Sequence, residues 1–131
     1  MTDKELCMIA KEAMKKSYSP YSKFRVGAAL LTASGKVYTG CNIENAAYSP
    51  TVCAERTAFF KAISEGETEF KAIAIVGGKD GETNNECNPC GVCRQVMQEF
   101  CNNDFTIITA TDSGYNKYTL AELLPNSFSL K

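Results

Sequence analysis

Phe70-Lys71-Ala72-Ile73-Ala74-Ile75-Val76-Gly77-Gly78, then Asn88-Pro89-Cys90-Gly91-Val92-Cys93-Arg94-Gln95-Val96-Met97, then Phe105-Thr106-Ile107-Ile108-Thr109-Ala110: these three stretches decide the fold. The first and last are short apolar runs that read as buried strands, with Gly77-Gly78 expected to end the first. Between them, a polar loop from Lys79 to Asn88 leads to an Asn-Pro helix start. The helix it predicts carries Cys90 and Cys93 on one side and turns Val92, Val96, Met97 and Phe100 toward a core. A strand, a helix and a second strand of this length imply a crossover between parallel neighbours.

Working outward, Ser49-Pro50 offers an N-cap followed by proline at the first helical position. The helix predicted there carries Cys53, Glu55, Phe59, Ala62 and Ile63, with Cys53 in its first turn. Arg25 to Thr32 reads as a buried strand, Ser34-Gly35-Lys36 as a turn, and Val37 to Cys41 as the antiparallel return. At the start, Thr2 and Glu5 form a capping-box pattern. Leu6, Ile9, Ala10, Ala13 and Met14 then recur at helical spacing up to a break at Ser17 to Pro20. Leu120 to Leu124 predicts a short helix before Pro125. An antiparallel hairpin joined to a parallel crossover predicts a mixed sheet with helices on both faces, a three-layer α/β/α architecture of class α/β. Residues 1–131 are expected to form one domain, and no repeat, linker or Gly-rich phosphate loop interrupts them.

Composition narrows the function. The 131 residues are 44% apolar, enough to bury a core. Fourteen basic residues against fifteen acidic ones, with no basic run, disfavour a nucleic-acid partner. Met1-Thr2-Asp3-Lys4-Glu5 has neither a signal-peptide core nor the start of a membrane-spanning stretch, so a soluble cytoplasmic location is expected. Seven cysteines, an odd number, fit a reducing compartment where metal binding or catalysis explains thiols better than disulfides do.

The chemistry concentrates in Cys53-Ala54-Glu55 and Pro89-Cys90-Gly91-Val92-Cys93. Three thiolates, Cys53, Cys90 and Cys93, could hold one zinc ion and leave its fourth position to water, whereas a structural site normally takes four ligands from the chain. Glu55, two residues from a ligand, is suited to moving protons to and from such a water. Three thiolates also leave zinc with a net negative charge, which weakens it as a Lewis acid. A guanidinium donating to ligand sulfur would offset that charge, and Arg56 is preferred over Arg94 for the role.

Other readings of the same residues stay open. Cys-x-x-Cys alone fits a redox pair or half of a structural zinc site in an interaction module. Cys87, Cys90 and Cys93 together have iron-sulfur spacing, although Glu55 would then have no task. Cys7, Cys41 and Cys101 read as small core residues, and Cys87 as a loop thiol. A nucleic-acid-editing protein would need a basic patch or aromatics interleaved with Lys and Arg, and neither is present.

The blocks Phe24-Arg25-Val26-Gly27-Ala28-Ala29, Gly40-Cys41-Asn42-Ile43-Glu44-Asn45, Cys53-Ala54-Glu55-Arg56 and Pro89-Cys90-Gly91-Val92-Cys93-Arg94-Gln95 closely resemble the small, three-cysteine, homotetrameric cytidine deaminases. The resemblance runs nearly end to end. It implies a central sheet of about five strands, one zinc ion per subunit, and hydrolytic deamination of cytidine and deoxycytidine in pyrimidine salvage. By the same resemblance, Glu55 carries a proton from the metal-bound water to ring N3, while Asn42 and Glu44 bind the ribose. An amide and a carboxylate there suit a free nucleoside and would repel a 5′-phosphate. Phe24 would pack against the pyrimidine and the backbone at Ala54 would read its edge. Ala46, Tyr48 and Phe128 would reach into a neighbouring subunit's pocket, so the tetramer would share its active sites. The loop before Cys90 is longer and more polar than the family pattern, Asn88 stands where serine is common, and Val92 replaces a frequent alanine. A deaminase of an antibiotic nucleoside such as blasticidin S shares the zinc blocks and is the nearest alternative.

Overall fold

Thr2 and Glu5 cap the first helix reciprocally: the Glu5 amide donates to Thr2 Oγ1 at 3.1 Å and the Thr2 amide donates to Glu5 Oε1 at 2.8 Å. From there the computed structural model, which describes residues 1–131, runs α1 (Asp3–Met14), β1 (Phe24–Thr32), β2 (Val37–Cys41) and α2 (Ala54–Ser64). It continues through β3 (Phe70–Lys79), α3 (Gly91–Phe100), β4 (Thr106–Thr111), β5 (Gly114–Thr119) and α4 (Leu120–Leu123). The five strands form one sheet in the order β2-β1-β3-β4-β5. β1 lies antiparallel to both β2 and β3, β3 and β4 are parallel, and β5 returns antiparallel to β4. The expected mixed sheet and parallel crossover are both present.

Alternation along the strands builds the two cores. Ala72, Ala74 and Val76 of β3 join Ile108 and Ala110 of β4 beneath Leu6, Cys7, Ala10 and Met14 of α1. Ile73, Ile75 and Ile107 point the other way, against Ala54, Ala58, Phe59 and Ala62 of α2 and Cys93 and Met97 of α3. Phe59 meets Phe70 edge to face at 5.2 Å and Phe105 at 5.9 Å. Burying a side chain such as Phe59 or Met97 is worth about 1.5–3 kcal/mol, so the helices that bear the cysteines are anchored by their opposite faces. No helix is long and apolar enough to cross a membrane.

Four local expectations need correction. β3 does not stop at Gly77-Gly78 but runs to Lys79, because both glycines pair with β1: Gly77 with Val26 and Gly78 with Arg25. A Cβ on Gly77 would lie 2.9 Å from the Arg25 carbonyl oxygen, which accounts for glycine inside the strand. Neither helix starts at its proline. Val52 exchanges two 3.0 Å backbone hydrogen bonds with Ile43, which keeps residues 49–52 extended or turned, and Cys53 becomes the N-cap of α2. Likewise Cys90, not Asn88, caps α3, its sulfur accepting from the Cys93 amide at 3.4 Å. Residues 114–119 form a strand, β5, that the hydrophobic pattern does not announce. Tyr115 to Thr119 after Asp112-Ser113-Gly114 carried the signal, a turn followed by β-prone residues, but their exposure left no apolar alternation to mark them.

Candidate active site

Moving the helix starts four and two residues downstream makes each leading cysteine a cap, where free backbone N–H groups and the positive end of the helix stabilise a thiolate. The two N-termini converge. Cys53 Sγ lies 3.6 Å from Cys90 Sγ, Cys90 Sγ lies 3.5 Å from Cys93 Sγ, and all three sulfurs fall within 4.8 Å of one another. Cys7, Cys41, Cys87 and Cys101 are outside this group. Cys87 is the loop thiol expected, half-buried against the α2/α3 core, and burial pushes its thiol up to about 12.

Charge in the cluster is unevenly held. The Cys93 thiol, then the Arg56 guanidinium, hydrogen-bond to Cys53 and bring its pKa down to about 5 against the opposing effect of burial. Cys93 is pushed far up by its hydrogen bond to the Cys53 thiolate and by burial. Arg56 donates from its Nη2 to Cys53 Sγ at 3.3 Å, while burial and the hydrogen bonds to Cys53 and Cys93 act on it in opposite senses, the sulfurs prevailing. Arg94 turns elsewhere, its Nε to the Pro89 carbonyl at 2.8 Å and its Nη1 to the Leu123 carbonyl at 2.7 Å. The geometry thus distinguishes the two arginines in favour of Arg56.

Glu55, in the first turn of α2, is 4% exposed. Burial raises its carboxyl to about 7, with the nearby Cys53 charge adding to the effect and its own backbone amide and Arg56 opposing it. A carboxyl half-protonated near neutral pH suits a group that both accepts and delivers a proton. Ala54, between Cys53 and Glu55, is fully buried.

The 42–44 segment is brought to the cluster by backbone pairing: Ile43 bridges Val52, next to Cys53, and also Tyr18. Asn42 is buried, its Oδ1 accepting from the Val26 amide at 3.0 Å and from the Ser17 hydroxyl, its Nδ2 donating to the Phe24 carbonyl at 2.8 Å. One Nδ2 proton is left over. Glu44 accepts from the Tyr21 and Ser22 amides at 3.0 and 3.2 Å and from the Ser22 hydroxyl, and the Ser22 hydroxyl holds its carboxyl below the usual range. With Tyr21, Ser22, Tyr48 and Thr51 it lines a cleft of about 440 Å³. Tyr21 and Ser22 had not been singled out in the sequence. Phe24 is exposed, as are Ala46, Tyr48 at 75% and Phe128 at 67%. Tyr48 also holds φ 61°, an uncommon conformation outside glycine.

The donor set fits zinc: three soft sulfurs, two of them helix caps, a guanidinium on one sulfur, and no fourth thiol within the group. Together with a buried, protonatable Glu55, the fold and site define a hydrolytic zinc enzyme. Residues 1–109 match the family model described as "Cytidine and deoxycytidylate deaminase zinc-binding region", and the chain belongs to that family. It is similar to a cytidine deaminase of Sporosarcina psychrophila, 50% identical over 130 residues covering 98% of this chain and 93% of the relative. A cytidine deaminase of Halalkalibacterium halodurans is 48% identical over 126 residues, 93% and 92% of the two chains. The crystal structure of cytidine deaminase from Burkholderia pseudomallei superposes with a TM-score of 0.90 at 45% identity, covering 98% of this chain and 100% of that one. The antibiotic-nucleoside alternative is not favoured by these relatives.

Proposed function

We propose that residues 1–131 form a single catalytic domain that hydrolyses cytidine and deoxycytidine to uridine and deoxyuridine with release of ammonia. The convergence of Cys53, Cys90 and Cys93 beside the buried Glu55 carries this reading. The three cysteines would hold one zinc ion per subunit, which when bound supplies a Lewis-acidic position at which water becomes a nucleophile near neutral pH. Glu55 takes one proton from the attacking water and delivers it to cytosine ring N3 as oxygen bonds to C4, then takes the remaining proton from that C4 hydroxyl and passes it to the amine, which leaves as ammonia when the C4–N bond breaks. Arg56, through Cys53, offsets the negative charge of the three thiolates. Phe24 packs on the pyrimidine and the Ala54 backbone reads its edge. The free lone pair of Glu44 accepts from one sugar hydroxyl and the spare amide proton of Asn42 is donated to a sugar hydroxyl oxygen.

Exposed Ala46, Tyr48 and Phe128 are assigned to a neighbouring subunit's pocket, which makes the working form a homotetramer with shared active sites. A cytoplasmic role in pyrimidine salvage, without nucleic-acid or membrane partners, follows from the free-nucleoside substrate. The test is the loss of cytidine absorbance with purified protein of known zinc content. Turnover by the wild type and none by Glu55→Ala is the expected result; a zinc-loaded wild type that leaves cytidine unchanged would refute the reading.

A further inference from the structure

Glu86 lies in the long loop between β3 and α3, four residues before Cys90, and its carboxylate is a convergence point. Oε2 accepts from Thr109 Oγ1 at 2.5 Å, Asn116 Nδ2 at 2.9 Å and Tyr118 Oη at 2.6 Å, and Oε1 accepts from Asn88 Nδ2 at 3.3 Å. Thr109 and Asn116 are direct cross-strand partners on β4 and β5, and Tyr118, two residues from Asn116, pairs with Ile107 on the same face. That is the face of the sheet that Ile107 shares with α2 and α3. The next residue turns inward: Cys87 Sγ fills the space where a Cβ on Gly77 would sit 3.0 Å away. Two consecutive residues thus clip the loop, one to the β4–β5 hairpin and one to β3. Pro89, buried and held by Arg94, follows immediately, and then Cys90.

We propose that Glu86 is a positioning residue for the metal centre, its carboxylate gathering Thr109, Asn116 and Tyr118 so as to fix the loop that presents Cys90. This rests on the zinc reading above. A short loop would fix the cap cysteine by its length alone, whereas a long polar one needs a tether to limit its freedom. The second tether, from the Thr83 hydroxyl to Asp112 with the Asp112 amide returning to the Thr83 carbonyl at 2.8 Å, holds the start of the loop and not its ligand end. Hydrogen bonds from Thr109, Tyr118 and Asn116, in that order, hold the Glu86 carboxyl down to about 2, so the tether stays ionised across the working pH range. Thr109 is fully buried, and its hydroxyl would lose this partner on removal of the carboxylate.

The test measures the rate at which zinc leaves the holoprotein for excess chromophoric chelator. Glu86→Ala should release zinc about tenfold faster or more. Thr109→Val and Tyr118→Phe, each removing one donor and keeping the carboxylate, should speed release roughly two- to fivefold. Ile108→Val, in the core beneath α1, controls for stability alone and should release zinc at the wild-type rate although its Tm falls. Release from Glu86→Ala no faster than from Ile108→Val would overturn the proposal; if Glu86→Ala does not fold, unchanged release from Thr109→Val and Tyr118→Phe would do so. A zinc-free wild type is distinguishable from either result, because it removes the metal reading itself and this inference with it.

Discussion

Substituting alanine for Gly40 should damage the active site from beneath, without replacing any residue in it. Gly40 lies on β2 directly beneath the first turns of α2, and a Cβ there would collide with the Ala54 carbonyl oxygen, approach the Ala58 amide nitrogen to 2.6 Å and the Thr57 Cβ to 3.1 Å. Ordinary contact begins at 3.4 Å, and the obstructing atoms are mostly helix backbone, so α2 must lift by roughly 1 Å at its N-terminal end. Cys53 and Glu55 move with it. Overpacking of this kind destabilises by about 1–3 kcal/mol, and a 1 Å misplacement of catalytic groups lowers the rate by about a hundredfold. Gly27 provides the comparison. Its added Cβ would collide with the Ala10 carbonyl oxygen and the Met14 amide nitrogen of α1 and lie 2.8 Å from Met14 Cα, on the sheet face away from the cysteines. Gly27→Ala should therefore lose at least as much stability while keeping kcat/KM within about threefold of wild type, which defines the contrast to be measured. Urea unfolding and cytidine turnover on both variants decide the matter. A Gly40→Ala variant as destabilised as expected but as active as Gly27→Ala would overturn this, because it would show that α2 can shift without disturbing its ligand and its proton carrier.

Glu55→Gln should lower turnover by about a thousandfold with zinc retained, measured by steady-state rates and metal analysis. The same change should affect the chelator-treated protein in the opposite sense. Burial raises the Glu55 carboxyl from 4.5 to about 7, so the unfolded chain ionises it before the folded chain does and the folded state loses stability as pH rises through that window. The stability advantage of Glu55→Gln over wild type should accordingly grow from near zero at pH 4.5 to about 3 kcal/mol above pH 7; a pH-independent difference would contradict it. Arg56→Gln removes the 3.3 Å donor from Cys53 and should reduce kcat/KM by about 10–100-fold, with faster zinc loss to a chelator. Full activity and full zinc in that variant would dismiss its role. Glu44→Ala should abolish the preference for cytidine over its 2′,3′-dideoxy analogue by raising KM for cytidine about tenfold or more. A preserved preference would place sugar recognition elsewhere.

The layers of the fold were legible because buried strands and amphipathic helices write their burial into the sequence. Ile73, Ile75, Ile107 and Ile108 mark the inner strands, and Leu6, Ala10 and Met14 mark the face of α1. β5 was not legible, since an exposed edge strand such as Gly114–Thr119 needs no apolar alternation. The helix starts were misplaced for a related reason. Ser49-Pro50 and Asn88-Pro89 satisfy the local rules for a cap, and what displaces them is tertiary: the Ile43–Val52 bridge in one case and the packing of Cys87 and Pro89 in the other. The candidate metal ligands could be named from spacing because two short motifs contain all three. Choosing Arg56 over Arg94 required charge reasoning, and the hydrogen bonds of the two residues agree with that choice. Glu86 could not have been chosen, because its partners lie 23 to 32 residues away on strands whose register the sequence does not reveal.

The central claim is that the zinc of this chain is catalytic, held by three cysteines with its remaining position open to water. X-ray absorption at the zinc edge of the purified protein tests that most directly. Three sulfurs and one lighter atom are expected around the metal, with the lighter-atom contribution changing when a hydrated pyrimidine nucleoside analogue is added. Four sulfurs, unchanged by the analogue, would make the centre a structural one and contradict the account.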